Sequence, residues 1–219
     1  MKPALKIDFV SDVSCPWCAI GLYALKQAIA NIGDQVSVDI HFQPFELNPN
    51  MVPEGQDVTE HLVEKYGSTP QQLEQSREMI RARGAAVGFK FDMGARSRIY
   101  NTFDAHRLLH WAELEGKQLP LKEALFKAYF TDGKSPGDHA TLVAAAAEVG
   151  LDSQKAAEVL AGDDYAEDVR KAEQFYQRNG IHAVPAVIIN ETHLIQGGQP
   201  VETFEQVLRQ IAAESSAAH

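Results

Sequence analysis

An alternating apolar run, a Cys-x-x-Cys pair, an apolar-periodic stretch and a second alternating run follow one another at the amino-terminal end of this chain. Residues 5–10 (LKIDFV) alternate Leu5, Ile7 and Phe9 with Lys6 and Asp8, the period of a short strand. Ile20, Ala24, Ala28 and Ile32 then recur every four residues, with Leu25 and Ile29 beside them, and Gly33 stands where such a helix would stop. Residues 36–42 (VSVDIHF) alternate again. A strand–helix–strand unit this short is the βαβ block of an α/β protein. The only two cysteines of the chain, Cys15 and Cys18, sit where its first strand gives way to its helix.

The remaining chain says how that block is completed. The loop QPFELNPNMVPEG carries three prolines and interrupts regular structure. From about Thr59 to Ala161 the pattern is helix after helix: VTEHLVEKYG, TPQQLEQSREMIRARGAAVG, SRIYNTFDAHRLLHWAELEG, LPLKEALFKAYFTDG, DHATLVAAAAEVG and a shorter one, with YAEDVRKAEQFYQRNG following. After Gly180, PAVIIN and HLIQG read as a hairpin, and ETFEQVLRQIAAE closes the chain as an amphipathic helix. The order βαβ, helices, ββα predicts one α/β domain formed by residues 1–55 and 176–219 and split by an all-helical insertion at 56–175.

Composition narrows the function. With 45% apolar residues the chain can fill a sizeable core, and no apolar run is long enough for a membrane-spanning helix. A net charge of −10 argues against binding nucleic acid or an anionic membrane surface. MKPALKIDFVSD lacks the apolar stretch and cleavage site of a secretory signal, so a cytoplasmic chain is expected. Two cysteines cannot staple a secreted scaffold; in the cytoplasm such a pair is catalytic or metal-binding.

The placement of the pair favours catalysis. Cys15 falls at the start of its helix with Pro16 at the first helical position, where free backbone N–H groups and the helix dipole favour thiolate over thiol. Cys15 is therefore the expected nucleophile. Cys18, one turn further in, is placed to attack a mixed disulfide on Cys15 and release the partner. A structural zinc site needs four ligands, and no second pair exists; His106 and His110 fall four apart but without the glutamate of a zincin, so no metal is expected. Pro185 in NGIHAVPAVIIN opens a strand, either as an edge proline or as the second residue of a cis Val184–Pro185 peptide.

Cys15-Pro16-Trp17-Cys18 after the first strand, the long helical insertion and AVPAVIIN…IQGGQP together resemble the DsbA-like thioredoxin-fold family. FELNP, NTFDAHRLLHWA and GGQPVETF are similar to its FrnE-like branch of cytoplasmic oxidoreductases, and the resemblance covers nearly the whole chain. It implies a thioredoxin-like fold with a helical domain over the active site, Cys15 as attacking thiolate, Cys18 as resolving thiol and Pro185 as a cis-proline beside them. Val184 would present its backbone to an extended thiol substrate, and Trp17 would tune the redox poise and offer an apolar contact. The implied partners are protein or small-molecule thiols and disulfides. No cofactor is implied beyond the Cys15–Cys18 disulfide itself, with glutathione a further candidate co-substrate. Asp8 is the candidate for a buried carboxylate that handles the Cys18 proton, its alternative being a solvated strand residue.

The same branch is related to kappa-class glutathione transferases and 2-hydroxychromene-2-carboxylate isomerases, which carry serine in the place of Cys15 and act through bound glutathione. A glutathione-dependent isomerase or transferase is therefore the second reading. NTFDAHRLL is the stretch most shared with them, and Asn101, Thr102 and His106 either line a substrate cleft or serve helix packing. A non-catalytic, chaperone-like module is the third.

Overall fold

The structure, a computed structural model, describes residues 3–217. The alternation in LKIDFV becomes strand β1 (Ala4–Ser11), which buries Leu5, Ile7 and Phe9 on one face. Helix α1 (Pro16–Ile32) returns the chain to β2 (Ser37–Pro44), paired parallel to β1 with Ala4 opposite Ser37 and Ser11 opposite Pro44. The sheet is completed from the far end of the sequence by β5 (Ala186–Ile189) and β6 (His193–Gln196), giving the order β2-β1-β5-β6. β5 runs antiparallel to β1, with Ile7 opposite Ile189. The β5–β6 turn places Asn190 and Glu191 at φ +50° and +60°, the left-handed backbone that tight hairpin turns require. Helix α9 (Val201–Ala217) packs beside α1, and both contribute to the core over Leu5, Ile7, Phe9, Val187 and Ile189.

Between β2 and β5 the chain forms β3 (Gln56–Asp57), α2 (Val58–Tyr66), α3 (Pro70–Ala86), β4 (Arg98–Ile99), α4 (Phe103–Leu114), α5 (Gln118–Phe130), α6 (His139–Glu148), α7 (Ser153–Ala161) and α8 (Ala166–Arg178). Side chains cap four of these helices: Asp57 for α2, a Thr69–Gln72 capping box for α3, Asp138 for α6 and Asp152 for α7. The expected helix from Ser97 is shorter than its periodicity suggested. Arg98 and Ile99 are extended and pair with Asp57 and Gln56 as a two-stranded ribbon. Helix α4 begins only after Asn101, whose side-chain oxygen accepts the Phe103 backbone N–H at 2.9 Å. That side-chain bond competes with helix continuation on the amino-terminal side.

The helices and the sheet share one core. Ile80, Phe89, Phe91, Phe126, Tyr129 and Phe130 join the α1, α9 and sheet residues in a single buried cluster. Phe130 sits at its aromatic centre, 5.1 Å from the Phe91 ring, 4.8 Å from Tyr129 and 6.1 Å from Phe126. A second cluster is built mainly from α4–α7, on Leu108, Trp111, Leu121, Leu125, Leu142 and Val159, and takes in Val13 of the β1–α1 loop. Helix α8 crosses the expected domain boundary at 175–176 and covers the other face of the sheet, where Tyr176 packs against Val10, Ile181 and Ala186. No helix among the described residues is long and apolar enough to cross a membrane.

Candidate active site

Cys15 is the N-cap residue of α1, in extended backbone at φ −92° and ψ 114°, with Pro16 at the first helical position and no side chain capping the helix. The thiols of Cys15 and Cys18 are both free and buried, at 4% and 0% exposure. Cys15 Sγ lies 3.8 Å from the carbonyl oxygen of Val184, and the Val184–Pro185 peptide bond is cis. These two stretches, 169 residues apart in sequence, are brought together because β5 pairs with β1 directly beside the start of α1.

Two glycines of the IQGGQP segment and α1 permit that approach. A side chain on Gly198 would come within 2.9 Å of the Trp17 carbonyl oxygen, and one on Gly21 would press on both Gly198 and Pro185 at 3.4 Å. Trp17 is half-buried beneath Arg83 of α3, whose guanidinium lies 5.8 Å from the ring centre and donates to the Gly198 carbonyl at 2.7 Å. The helical insertion thus reaches the residue between the two cysteines.

Beneath the pair is a set of buried polar groups. Asp12 is fully buried; its carboxylate accepts the backbone N–H of Leu47 at 2.7 Å and of Ser14 at 3.2 Å, and stands 3.6 Å from His106 Nε2. His106 Nε2 also bonds the Phe45 carbonyl at 3.1 Å. The stretch FELNP therefore serves as a strap, with Phe45 holding His106, Leu47 holding Asp12, and Glu46 bound to Arg170 and Asn101. Lys122 of α5 is buried beside this set.

These surroundings separate the two thiols. The Cys18 side chain donating to the Cys15 sulfur holds the Cys15 thiol below its ordinary range; backbone N–H groups of Cys18 and Trp17 add to this, against burial and the Asp12 charge. Burial first, and then Cys15, push the Cys18 thiol well above its usual range. Burial alone would raise the Asp12 carboxyl, but His106 and the Leu47 and Ser14 N–H groups hold it below the usual carboxylate range. Such an arrangement can keep one sulfur anionic and nucleophilic while its neighbour stays protonated.

Asp8, the carboxylate expected to handle the Cys18 proton, does not belong to this group. Strand alternation turns it to the opposite face of the sheet from Ile7 and Phe9, where it accepts from Gln43 at 2.8 Å and pairs with Lys6 at 3.2 Å. The carboxylate beside the cysteines is Asp12, in the loop after β1. Of the three lid residues considered, His106 is in the Asp12 network, Asn101 binds Glu46, and Thr102 is buried at the start of α4. His110, four residues on from His106, packs instead against Tyr165 with the two rings tilted.

A family model described as a DSBA-like thioredoxin domain matches residues 6–209. The chain belongs to that family. This DsbA-like chain is 32% identical to a probable DsbA oxidoreductase from Streptomyces coelicolor, over 94% of this chain and 89% of that one, with a TM-score of 0.88. It is 27% identical over 203 residues to the uncharacterized protein YwbO of Bacillus subtilis, covering 92% of this chain and 94% of YwbO. It shares its fold with the cytosolic disulfide reductase DsbM of Pseudomonas aeruginosa, solved with GSH, at 17% identity and a TM-score of 0.66 over 94% of this chain and 98% of DsbM. The thioredoxin-like fold with inserted helices, expected from sequence, is the fold of the DsbA-like family.

Proposed function

We propose that this DsbA-like protein is a cytosolic thiol–disulfide oxidoreductase that works through Cys15 and Cys18. The observation that carries the reading is the placing of the pair: Cys15 caps the start of α1 and faces the Val184 carbonyl at 3.8 Å, and Cys18 lies one turn inward and wholly buried, with burial holding its thiol high while the Cys15 thiol is held low. In the reducing direction Cys15 thiolate attacks one sulfur of a substrate disulfide, forming a Cys15–substrate disulfide and releasing the other half as thiolate. Cys18 loses its proton and attacks Cys15 Sγ. The Cys15–Cys18 bond forms as the bond to substrate breaks, and the second thiol departs. In reverse, the Cys15–Cys18 disulfide oxidises a dithiol.

Val184, Pro185 and Trp17 are the residues proposed to contact substrate, since the Val184 carbonyl faces Cys15, its peptide bond to Pro185 is cis, and Trp17, between the cysteines in sequence, is half-buried with Arg83 over its ring. Glutathione is the proposed small-molecule co-substrate, supported by the shared fold with DsbM, which was solved with GSH. No cofactor beyond the cysteine pair is proposed. The test is turnover of a model protein disulfide with reduced glutathione supplied in excess. Sustained reduction that requires both cysteines is expected. Saturable glutathione binding with no disulfide consumed would overturn the reading in favour of a glutathione-dependent isomerase or transferase.

A further inference from the structure

Lys122 is a charged group in the core that the exchange chemistry above does not use. It stands on α5, in the helical insertion, and its side chain is wholly buried. Among the described residues its Nζ is one of three buried side-chain nitrogen or oxygen atoms without a hydrogen-bond partner. What it meets are ring faces, Phe42 at 5.6 Å and Phe126 at 5.1 Å. Attraction to ring faces is a weaker effect than the loss of hydration a buried ammonium suffers, so such a group persists only where another charge compensates it.

Phe42 and Phe126, the rings beneath the Lys122 amine, belong to the same buried cluster as Cys15 and Cys18, and α5 packs on α1. The titratable groups around Lys122 are Asp12, Cys15 and Cys18 from the β1–α1 junction and α1, and His106, His110 and Glu113 from α4; what β2 and α8 present there, Phe42, Gln43, Pro44, Val169 and Ala172, does not titrate. The α4, β2 and α8 residues line with Lys122 a cavity of about 20 Å³, room for a single water. Burial lowers the Lys122 amine to about 8, while Cys18 acts most strongly to raise it again, ahead of Asp12 and Cys15. Cys18 has the complementary difficulty, being wholly buried and unfavourable as an anion. Each group resists its charge alone, and each relieves the other when both are charged.

We propose that Lys122 is the positioning residue of the resolving step, supplying the counter-charge for the Cys18 thiolate from the helical insertion. The proposal rests on the exchange reaction assigned to Cys15 and Cys18. With substrate R bonded to Cys15, Cys18 gives up its proton and its sulfur displaces R from Cys15 Sγ. One S–S bond forms and one breaks, the substrate sulfur is reduced, Cys18 is oxidised, and the proton leaves on the departing thiol R–SH. Lys122 ammonium holds the transient Cys18 anion in a part of the core closed to bulk solvent, and is itself unchanged at the end.

The test loads Cys15 with glutathione from glutathione disulfide and follows release of the bound glutathionyl group between pH 6 and 9. Lys122→Met keeps the length and apolar contacts of the side chain and removes the charge. Release about tenfold slower at pH 7, with the pH profile displaced upward by about one unit, is expected. A folded variant that releases glutathione at the wild-type rate and pH midpoint overturns the proposal. A second measurement does not depend on that variant folding: in wild type with Cys15 alkylated, so that Cys18 ionises without the Cys15 anion beside it, the Cys18 thiolate is followed by its ultraviolet absorbance and the Lys122 amine by nitrogen-15 titration. The amine should still be protonated at the midpoint of Cys18 ionisation, and an amine already neutral there overturns the proposal equally. Failure of wild type to form any Cys15–glutathione disulfide would instead strike the proposed function, and the lysine titration would still judge Lys122.

Discussion

Cys15→Ser should lower disulfide exchange to the uncatalysed background, whereas Cys18→Ser should accumulate a covalent mixed disulfide on Cys15. The two outcomes differ because the two thiols stand in different surroundings. Cys15 carries the nucleophilic sulfur, and a serine hydroxyl in its place is not ionised at neutral pH. Cys18 is needed only to break the bond that Cys15 has made, so its loss stops the reaction after the first step. Intact-mass measurement after exposure to glutathione disulfide checks both: no adduct on Cys15→Ser, one glutathionyl group on Cys18→Ser. The serine at position 18 still has a hydroxyl to donate to the Cys15 sulfur. Alkylation of Cys15 in that variant should therefore remain fast below the ordinary thiol range near about 8.5. Adduct formation on Cys15→Ser at the wild-type rate would exclude the assigned nucleophile.

Phe130→Ala should cost about 3–5 kcal/mol and weaken sheet and helices together. Phe130 is wholly buried, and its ring lies within 6.4 Å of Phe89, Phe91, Phe126 and Tyr129, in the same cluster as α1, α9 and the sheet. The insertion thus has no separate core on this side that could remain folded while the sheet melts. Denaturant unfolding followed by tryptophan fluorescence and by far-ultraviolet circular dichroism checks it, because Trp17 lies at the cysteine pair and Trp111 inside the α4–α7 cluster. Coincident transitions, both displaced in the variant, are expected. Two separated transitions, with only one displaced, would show that the insertion folds apart from the sheet.

Much of this arrangement was legible in the residues. Period-2 alternation marked β1 and β2, Gly33 marked the end of α1, and the order of elements required a sheet closed by the two ends of the chain. What alternation also offered was the fate of Asp8: on a strand whose Ile7 and Phe9 face α1, residue 8 must face away. Asp12 was harder to see because it lies in the connection after β1, where no period applies and position depends on a turn. The Cys15 backbone N–H donating to the Asp12 carbonyl at 3.2 Å is that turn. Ser97–Thr102 looked helical by continuity with α4, yet Asn101 supplied a competing side-chain acceptor and Arg98–Ile99 found a partner strand.

Lys122 was not legible at all. In LPLKEALFKAYF it occupies a position that any amphipathic helix could give to solvent, and only packing of α5 against β2 and α1 buries it. His106 and the FELNP strap were visible as motifs, but their common purpose, holding a carboxylate beneath the cysteines, exists only in three dimensions.

The central claim is that Cys15 and Cys18 form a reversible two-electron couple. Equilibrating the protein in glutathione buffers of graded potential, quenching with acid and counting free thiols by intact mass tests it most directly. The account predicts a single transition from two free thiols to none, with a midpoint inside the range of about −120 to −270 mV covered by thioredoxin-fold oxidoreductases. Two free thiols at every potential in the series would contradict it.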